Sequence, residues 1–493
     1  MTRTWMSCWI VSTLVLFGCT PASPEMQIID AAVEAIGGRT VVEDVKTVVI
    51  EGEGENFRLG QNQHPDRDLP IYAISNFTRE IDYEHSRWRQ EQGRTSTFMT
   101  GNPAVNQQQI TAVDGDVAFN VSENGDATRA SSLVAKDRRI ELYHYPVGIL
   151  QAAMAEASIV SNARQEDGYD VVDITTAEGD QLTLFVESES GFPAKVSSIS
   201  YNRYLGDVTI ETEFDDYVVG TTPALLTFSL PRRLLWRLDK YVTAELRVTT
   251  SVNLEIGDLA APDEARSADE PVPAANVTVE ELASGIWYLA GQSHHSVLVE
   301  FADYLVLIEA PQDDTRTLAV IAKARELEPD KPLRYVINTH HHFDHSGGIR
   351  AAVSEGLTVI THAVNKPFFE DIVARQHTII EDALAKNPQP LAIETIPYDG
   401  DYVLDDGRRT MEIYPILDNP HSRTLLMVYL PRERLLVEAD VYSPAASEAP
   451  FAANLLENIE DRGLRVDRVV PIHGGVAPFE DFQQVATRVN PSE

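Results

Sequence analysis

Thr339–Gly348, which reads T-H-H-H-F-D-H-S-G-G, constrains this chain more than any other stretch. His340, His342, Asp344 and His345 spell H-x-H-x-D-H, so four candidate metal ligands fall within six residues. An apolar β-type run, Leu333-Arg334-Tyr335-Val336-Ile337-Asn338, precedes them, and Gly347-Gly348 with a short helical pattern follows. That order predicts a strand end, a loop of ligands and a helix start. The loop bends to gather the ligands and the strand beneath holds them. Alternate side chains on an extended backbone share a face, so His340 and His342 point to one side and His341 to the other. Asp344 and His345 fall where the chain turns and can face a second point a few ångströms away. Neutral imidazole with carboxylate suits a borderline cation such as Zn²⁺.

The pattern resembles that of the metallo-β-lactamase superfamily, from about Val277 to the C-terminus. The resemblance implies three more ligands, each at the end of a later strand. Met411–Leu417 runs into Asn419-Pro420-His421, Arg434–Ala439 into Asp440, and Val469–Ile472 into His473. The fold it implies for residues 277–493 is α/β, an αββα sandwich. His340, His342 and His421 would hold one metal and Asp344, His345 and His473 the second, with Asp440 bridging. The implied cofactors are two Zn²⁺, with Fe or Mn as alternatives. The implied activity is hydrolysis of a carbonyl substrate (ester, lactone, thioester or amide) by a metal-bound hydroxide, with Asp344 orienting the hydroxide. Enzymes that act mainly on β-lactams often carry Cys or Ser where this chain has Asp440; an Asp is more like glyoxalase II, lactonases and related esterases. Val476–Glu480, apolar and acidic, offers no basic cluster for a glutathione carboxylate. His295 is a candidate pocket residue or a structural one, and Tyr442 a candidate oxyanion donor. The same ligands are compatible with a catalytically silent carrier or sensor, or with an iron-dependent oxidoreductase.

Residues 1–19 carry Arg3, a short apolar run from Trp9 to Phe17, and Leu16-Phe17-Gly18-Cys19. The run is too short to span a bilayer. It resembles a bacterial lipoprotein signal, which implies cleavage before Cys19, lipidation of Cys19 and attachment to a bilayer. Thr20, rather than Asp, after the Cys favours the outer membrane, with the protein facing the periplasm. Such cleavage removes Cys8 and leaves no disulfide.

Residues 20–257 read as an α+β domain dominated by one antiparallel sheet, solvated on one face. A helix over Met26–Ile36 stops at Gly37-Gly38, and Val171–Thr176 with Gln181–Val186 reads as a hairpin. The region suggests binding, spacing or shaping of the active-site mouth, or a scaffold without a ligand. His64, His85 and His144 read as ordinary polar residues. Residues 258–276, rich in Pro, Ala and acids, read as a linker, and Lys366–Pro390 as a lid or substrate wall. Seventy-six acidic residues against 40 basic ones give a formal charge of −36. Such a chain repels polyanions, so a small-molecule substrate is expected and nucleic acid is not.

Overall fold

The structure, a computed structural model, describes residues 22–96, 106–273, 275–446 and 449–488. The signal-like segment and Cys19 lie outside the described residues.

The chain opens with the helix Pro24–Ile36. Ser23 caps it by accepting from the Met26 amide, Pro24 starts it, and Gly37 ends it at φ 130°. The helix buries Ile29, Val33 and Ile36 against an antiparallel sheet of thirteen strands. The first strand, Thr47–Phe57, pairs with Ile71–Asp82 on one side and with the last, Tyr241–Val252, on the other. The domain therefore starts and finishes at the middle of its sheet. In Gln181–Glu187, Leu182, Leu184 and Val186 are buried and alternate with more exposed residues. This period of two puts one sheet face onto a core shared with helices Pro24–Ile36 and Pro146–Met154. The segment after this sheet differs from the expected plain linker. Asp263–Ser267 is a helical turn, and Ala261 and Ala265 pack on Ala112 and Phe119. The Ala261 amide donates to Asp114 at 2.9 Å.

The C-terminal part is a four-layer α/β sandwich. One sheet has seven strands, from Thr278–Ala283 to Ile393–Ile396; the other has six, from Tyr402–Asp405 to Ala477–Pro478. Strand Leu305–Ile308 is buried on both faces, and its alternation serves two cores. Val306 and Ile308 meet Ile413, Val428 and Val437 between the sheets. Leu305 and Leu307 turn outward to Val320, Ile321 and Ile349 on helices Asp314–Leu327 and Ile349–Ser354. Fully burying a side chain of this size stabilises by about 1.5–3 kcal/mol, so both layers are heavily anchored.

Lys366–Pro390 does not line the cavity that exposes His421, Asp440 and His473. It bridges to the thirteen-stranded sheet: the Asp207 amide donates to the Gln376 carbonyl at 2.8 Å, and Arg375 pairs with Asp239 at 2.8 Å. Polar partners on the neighbouring sheet hold this segment in place.

Candidate metal centre

The histidine-rich stretch follows strand Leu333–Ile337, and Phe343–Ser346 forms a single helical turn. His421 follows strand Thr410–Pro415, Asp440 follows Leu435–Glu438 and His473 follows Arg468–Pro471. All seven expected ligands meet at the same ends of the two sheets, together with an eighth residue, in two groups. One is His340, His342, His421 and Asp440; the other is His294, Asp344, His345 and His473. Within each group the donor atoms lie within 4.8 Å of one another. Small side-chain rotations would close that span onto one cation with bonds of about 2.1 Å.

Asp440 stands between the groups. Its Oδ2 faces His340 Nε2 at 3.5 Å and His421 Nε2 at 2.8 Å, and its Oδ1 faces His345 Nε2 at 3.0 Å and His473 Nε2 at 2.7 Å. Each group therefore sees one carboxylate oxygen. The residue sits at φ 60°, a left-handed conformation that Asp tolerates better than most side chains.

The hydrogen-bond network selects the free nitrogen of each ring. Thr339 Oγ1 donates to Glu309, so it accepts from His340 Nδ1 at 3.1 Å and leaves His340 Nε2 a bare acceptor. His342 Nε2 donates to the Asn62 carbonyl at 2.9 Å and leaves Nδ1 bare. His345 Nδ1 donates to Glu309 at 3.1 Å and His473 Nδ1 to the Ser293 carbonyl at 3.0 Å. Among the described residues, His340 Nε2, His342 Nδ1 and His421 Nε2 are buried and accept no hydrogen bond. The Nε2 atoms of His345 and His473 face each other at 3.2 Å. Bare imidazole acceptors converging beside a carboxylate are the donor set of a cation site.

Electrostatics agree. Burial pulls His340 and His342 well below the ordinary imidazole pKa, so both stay in the neutral, ligating form. Burial also works against charging His345, yet Asp440 and Glu309 hold its pKa well above the usual value. Burial would raise the Asp344 carboxyl, but the hydrogen bond from His294 and the charge of His345 hold it well below the usual range.

Three features escape the sequence expectations. His295 is not the pocket residue: its Nδ1 accepts from the Gly291 amide at 3.1 Å and its ring packs on Tyr288. His294 takes that place, 6% exposed, with Nε2 3.3 Å from Asp344 Oδ2. Alternation held the clue, since His294 shares its parity with Ser296, whose hydroxyl donates to the Glu309 carbonyl. Glu309, fully buried at φ 75°, is the carboxylate that orients His345. The third is a loop between the first two strands of the thirteen-stranded sheet. Gln61 Nε2 donates to Asp344 Oδ1 at 2.8 Å, the Asn62 carbonyl holds His342, and the Gly60 carbonyl accepts from the Phe343 amide at 3.2 Å. His64, in the same loop, lines the cavity.

Tyr442 lies where the sequence suggests, on the wall of a cavity of about 1020 Å³ that also exposes His421, Asp440 and His473. His341 turns away, its Nδ1 3.1 Å from Thr424 Oγ1. Neither it nor His362 or His377 joins a ligand group.

Residues 290–440 match the family model described as the metallo-beta-lactamase superfamily. No curated protein matches the chain significantly. Similar solved structures include a metallo-beta-lactamase from Pontibacter korlensis, 17% identical over 44% of this chain and 100% of that one, with a TM-score of 0.35. Another, from Hirschia baltica, is 19% identical over 44% of this chain and 99% of its own, with a TM-score of 0.33. The metallo-beta-lactamase FIM-1 from Pseudomonas aeruginosa, in its mono-zinc form, is 19% identical over 43% and 94%, with a TM-score of 0.32.

Proposed function

The C-terminal part of this chain is a metallo-beta-lactamase superfamily domain, and from that premise and its two ligand groups we propose that the protein is a dinuclear metal-dependent hydrolase of a carbonyl substrate. One observation carries this: Asp440 offers one oxygen to each group. His340, His342 and His421 would hold one cation, and Asp344, His345 and His473 the other, with His294 beside it. Bound there, divalent zinc would supply Lewis acidity and make water nucleophilic near neutral pH. Iron or manganese would suit the same nitrogen and oxygen donors.

The residues around that centre have separable tasks. Asp344, ionised and fixed by Gln61 and His294, can accept a hydrogen bond from the attacking water and orient it. Tyr442 lines the cavity just past Asp440 and can donate to an oxyanion. Neither cysteine is needed, since the nucleophile is water. The test is a screen of the zinc-reconstituted protein over esters, lactones, thioesters, β-lactams and phosphodiesters. We expect turnover of a carbonyl substrate that His342→Ala abolishes, and equal turnover by that variant would refute the assignment.

Among the described residues no helix is long and apolar enough to cross a membrane. Lipid anchoring at Cys19 would place the enzyme on a periplasmic membrane face. Cys19→Ser should then move it to the soluble fraction, and retention in the membrane fraction would contradict the anchor.

A further inference from the structure

The cavity beside the metal centre is built from two sheets. One wall is His421, Asp440, Tyr442 and His473; the opposite wall is the loop and strand start of the thirteen-stranded sheet, with Arg58, Arg67 and Tyr72. The chain is strongly acidic, yet this wall is basic. Arg423, next to the ligand His421 region, adds a third guanidinium. None of the three has a carboxylate within ion-pair distance among the described residues. Asp68 lines the same cavity and forms no ion pair with any of them.

The wall is also constructed rather than loose. Arg58 Nη1 donates to the hydroxyl of Tyr72, a residue 3% exposed, at 2.8 Å. The guanidinium of Arg94 lies 4.4 Å from the centroid of the same ring, and burial lowers the Arg94 pKa against an opposing effect of Tyr72, with the charge of Arg58 a smaller lowering cause. Arg58, Arg67 and Arg423 line the cavity and, among the described residues, pair with no carboxylate, so their charge is available to it. The loop is held to the metal centre through Gln61, Asn62 and Gly60, and Gln63 bridges it to the segment of His421 by donating to the Pro420 carbonyl and accepting from the Arg423 amide. The backbone that carries Arg67 and Arg423 is thereby tied to the metal centre, while the side chains of Arg58, Arg67 and Arg423 stay exposed.

We propose that Arg58 and Arg67, with Arg423, form an anion subsite that selects substrates carrying a carboxylate or phosphate remote from the bond to be cleaved. Guanidinium forks match both groups, and charge-assisted hydrogen bonds to them are about twice as strong as neutral ones. The subsite sits across the cavity from Asp440, so an anion held there directs the rest of the molecule toward the metal centre. The inference rests on the hydrolase reading for the reaction, but anion binding can be measured without turnover.

The experiment uses the full, zinc-loaded chain as wild type, Arg67→Gln, Arg58→Gln/Arg67→Gln and Arg58→Lys. Arg67→Gln removes a side chain that makes no ion pair among the described residues, and Arg58→Lys keeps the charge, so each is readable if the double variant folds poorly. Calorimetry compares succinate with succinamide, and glycerol phosphate with glycerol. The first pair reports a carboxylate and the second a phosphate. Kinetics compare para-nitrophenyl hemisuccinate with para-nitrophenyl acetate. We expect the double variant to lose about tenfold in affinity for one of the anions, and the anionic-to-neutral ratio of kcat/KM to fall by the same factor through KM. Arg58→Lys should recover part of each loss. Arginine-dependent anion binding in a protein that cleaves neither ester would keep the subsite and reject the hydrolase. Equal anion affinity in wild type and double variant would overturn the subsite, whatever the turnover.

Discussion

Asp440→Asn is expected to strip the chain of both cations at once. The carboxylate puts Oδ2 2.8 Å from His421 Nε2 and Oδ1 2.7 Å from His473 Nε2. An amide has one oxygen and no charge, so one group gains an N–H donor facing its cation and both lose the negative charge between them. Residues that merely orient ligands cost about 10–100-fold in metal affinity when mutated; a shared ligand should cost at least the upper value at each site. Asn also tolerates φ 60°, so backbone strain does not explain the result. A 100-fold weaker site forfeits about 2.7 kcal/mol of metal-linked stability at saturating metal. Thermal unfolding with and without zinc should show the wild type stabilised and the variant nearly indifferent. Turnover should fall with the metal content. A variant that keeps full zinc-linked stabilisation would show that Asp440 does not join the sites.

The second large effect comes from Gly60→Val, in the part of the chain outside the metallo-beta-lactamase domain. Gly60 has φ 74°, and a Cβ there would lie 2.3 Å from the nearest atom of the Phe343 ring. That ring is stacked on Tyr204 with centroids 4.7 Å apart, so it cannot retreat freely. A β-branched side chain is strained at this φ and clashes with the ring. The loop must lift, and with it go the Gln61 hydrogen bond to Asp344 and the Asn62 carbonyl that selects the His342 tautomer. Zinc affinity, measured by competition with a chelator, should fall about 10–100-fold. Gly125→Val is the control. Gly125 also has positive φ, 89°, but among the described residues nothing lies within 4 Å of its Cβ position. It should bind zinc as the wild type does. Equal zinc affinity in Gly60→Val would mean that the loop does not support the centre.

How much of this was legible depends on how local each signal is. Four ligands within Thr339–Gly348, after an apolar strand, declare themselves through spacing alone. His421, Asp440 and His473 are single residues after apolar runs, and only the family resemblance singles them out. The period-two pattern of strands such as Gln181–Glu187 exposes the antiparallel sheet, because alternation is a local property. The loop at Gly60–Gln63 could not be seen, since Gln61 and Asp344 meet across 283 positions of sequence and nothing in a polar loop states what it will touch. His294 and Glu309 sit between these cases. Each ends or precedes an apolar run and carries a polar group into a buried place, but choosing His294 over His295 needs the strand register. Lys366–Pro390 shows the converse: a helical stretch near an active site looks like a lid until Arg375 and Gln376 reveal their partners on the other sheet.

The central claim is a two-cation centre built around one carboxylate. Its most direct test is the metal content of the full chain, stripped with a chelator, reloaded with zinc, freed of excess and analysed for zinc per protein. Close to two zinc per chain in the wild type, falling below one in Asp440→Asn, is the predicted result. One zinc or fewer in the wild type, or two retained by the variant, would contradict it.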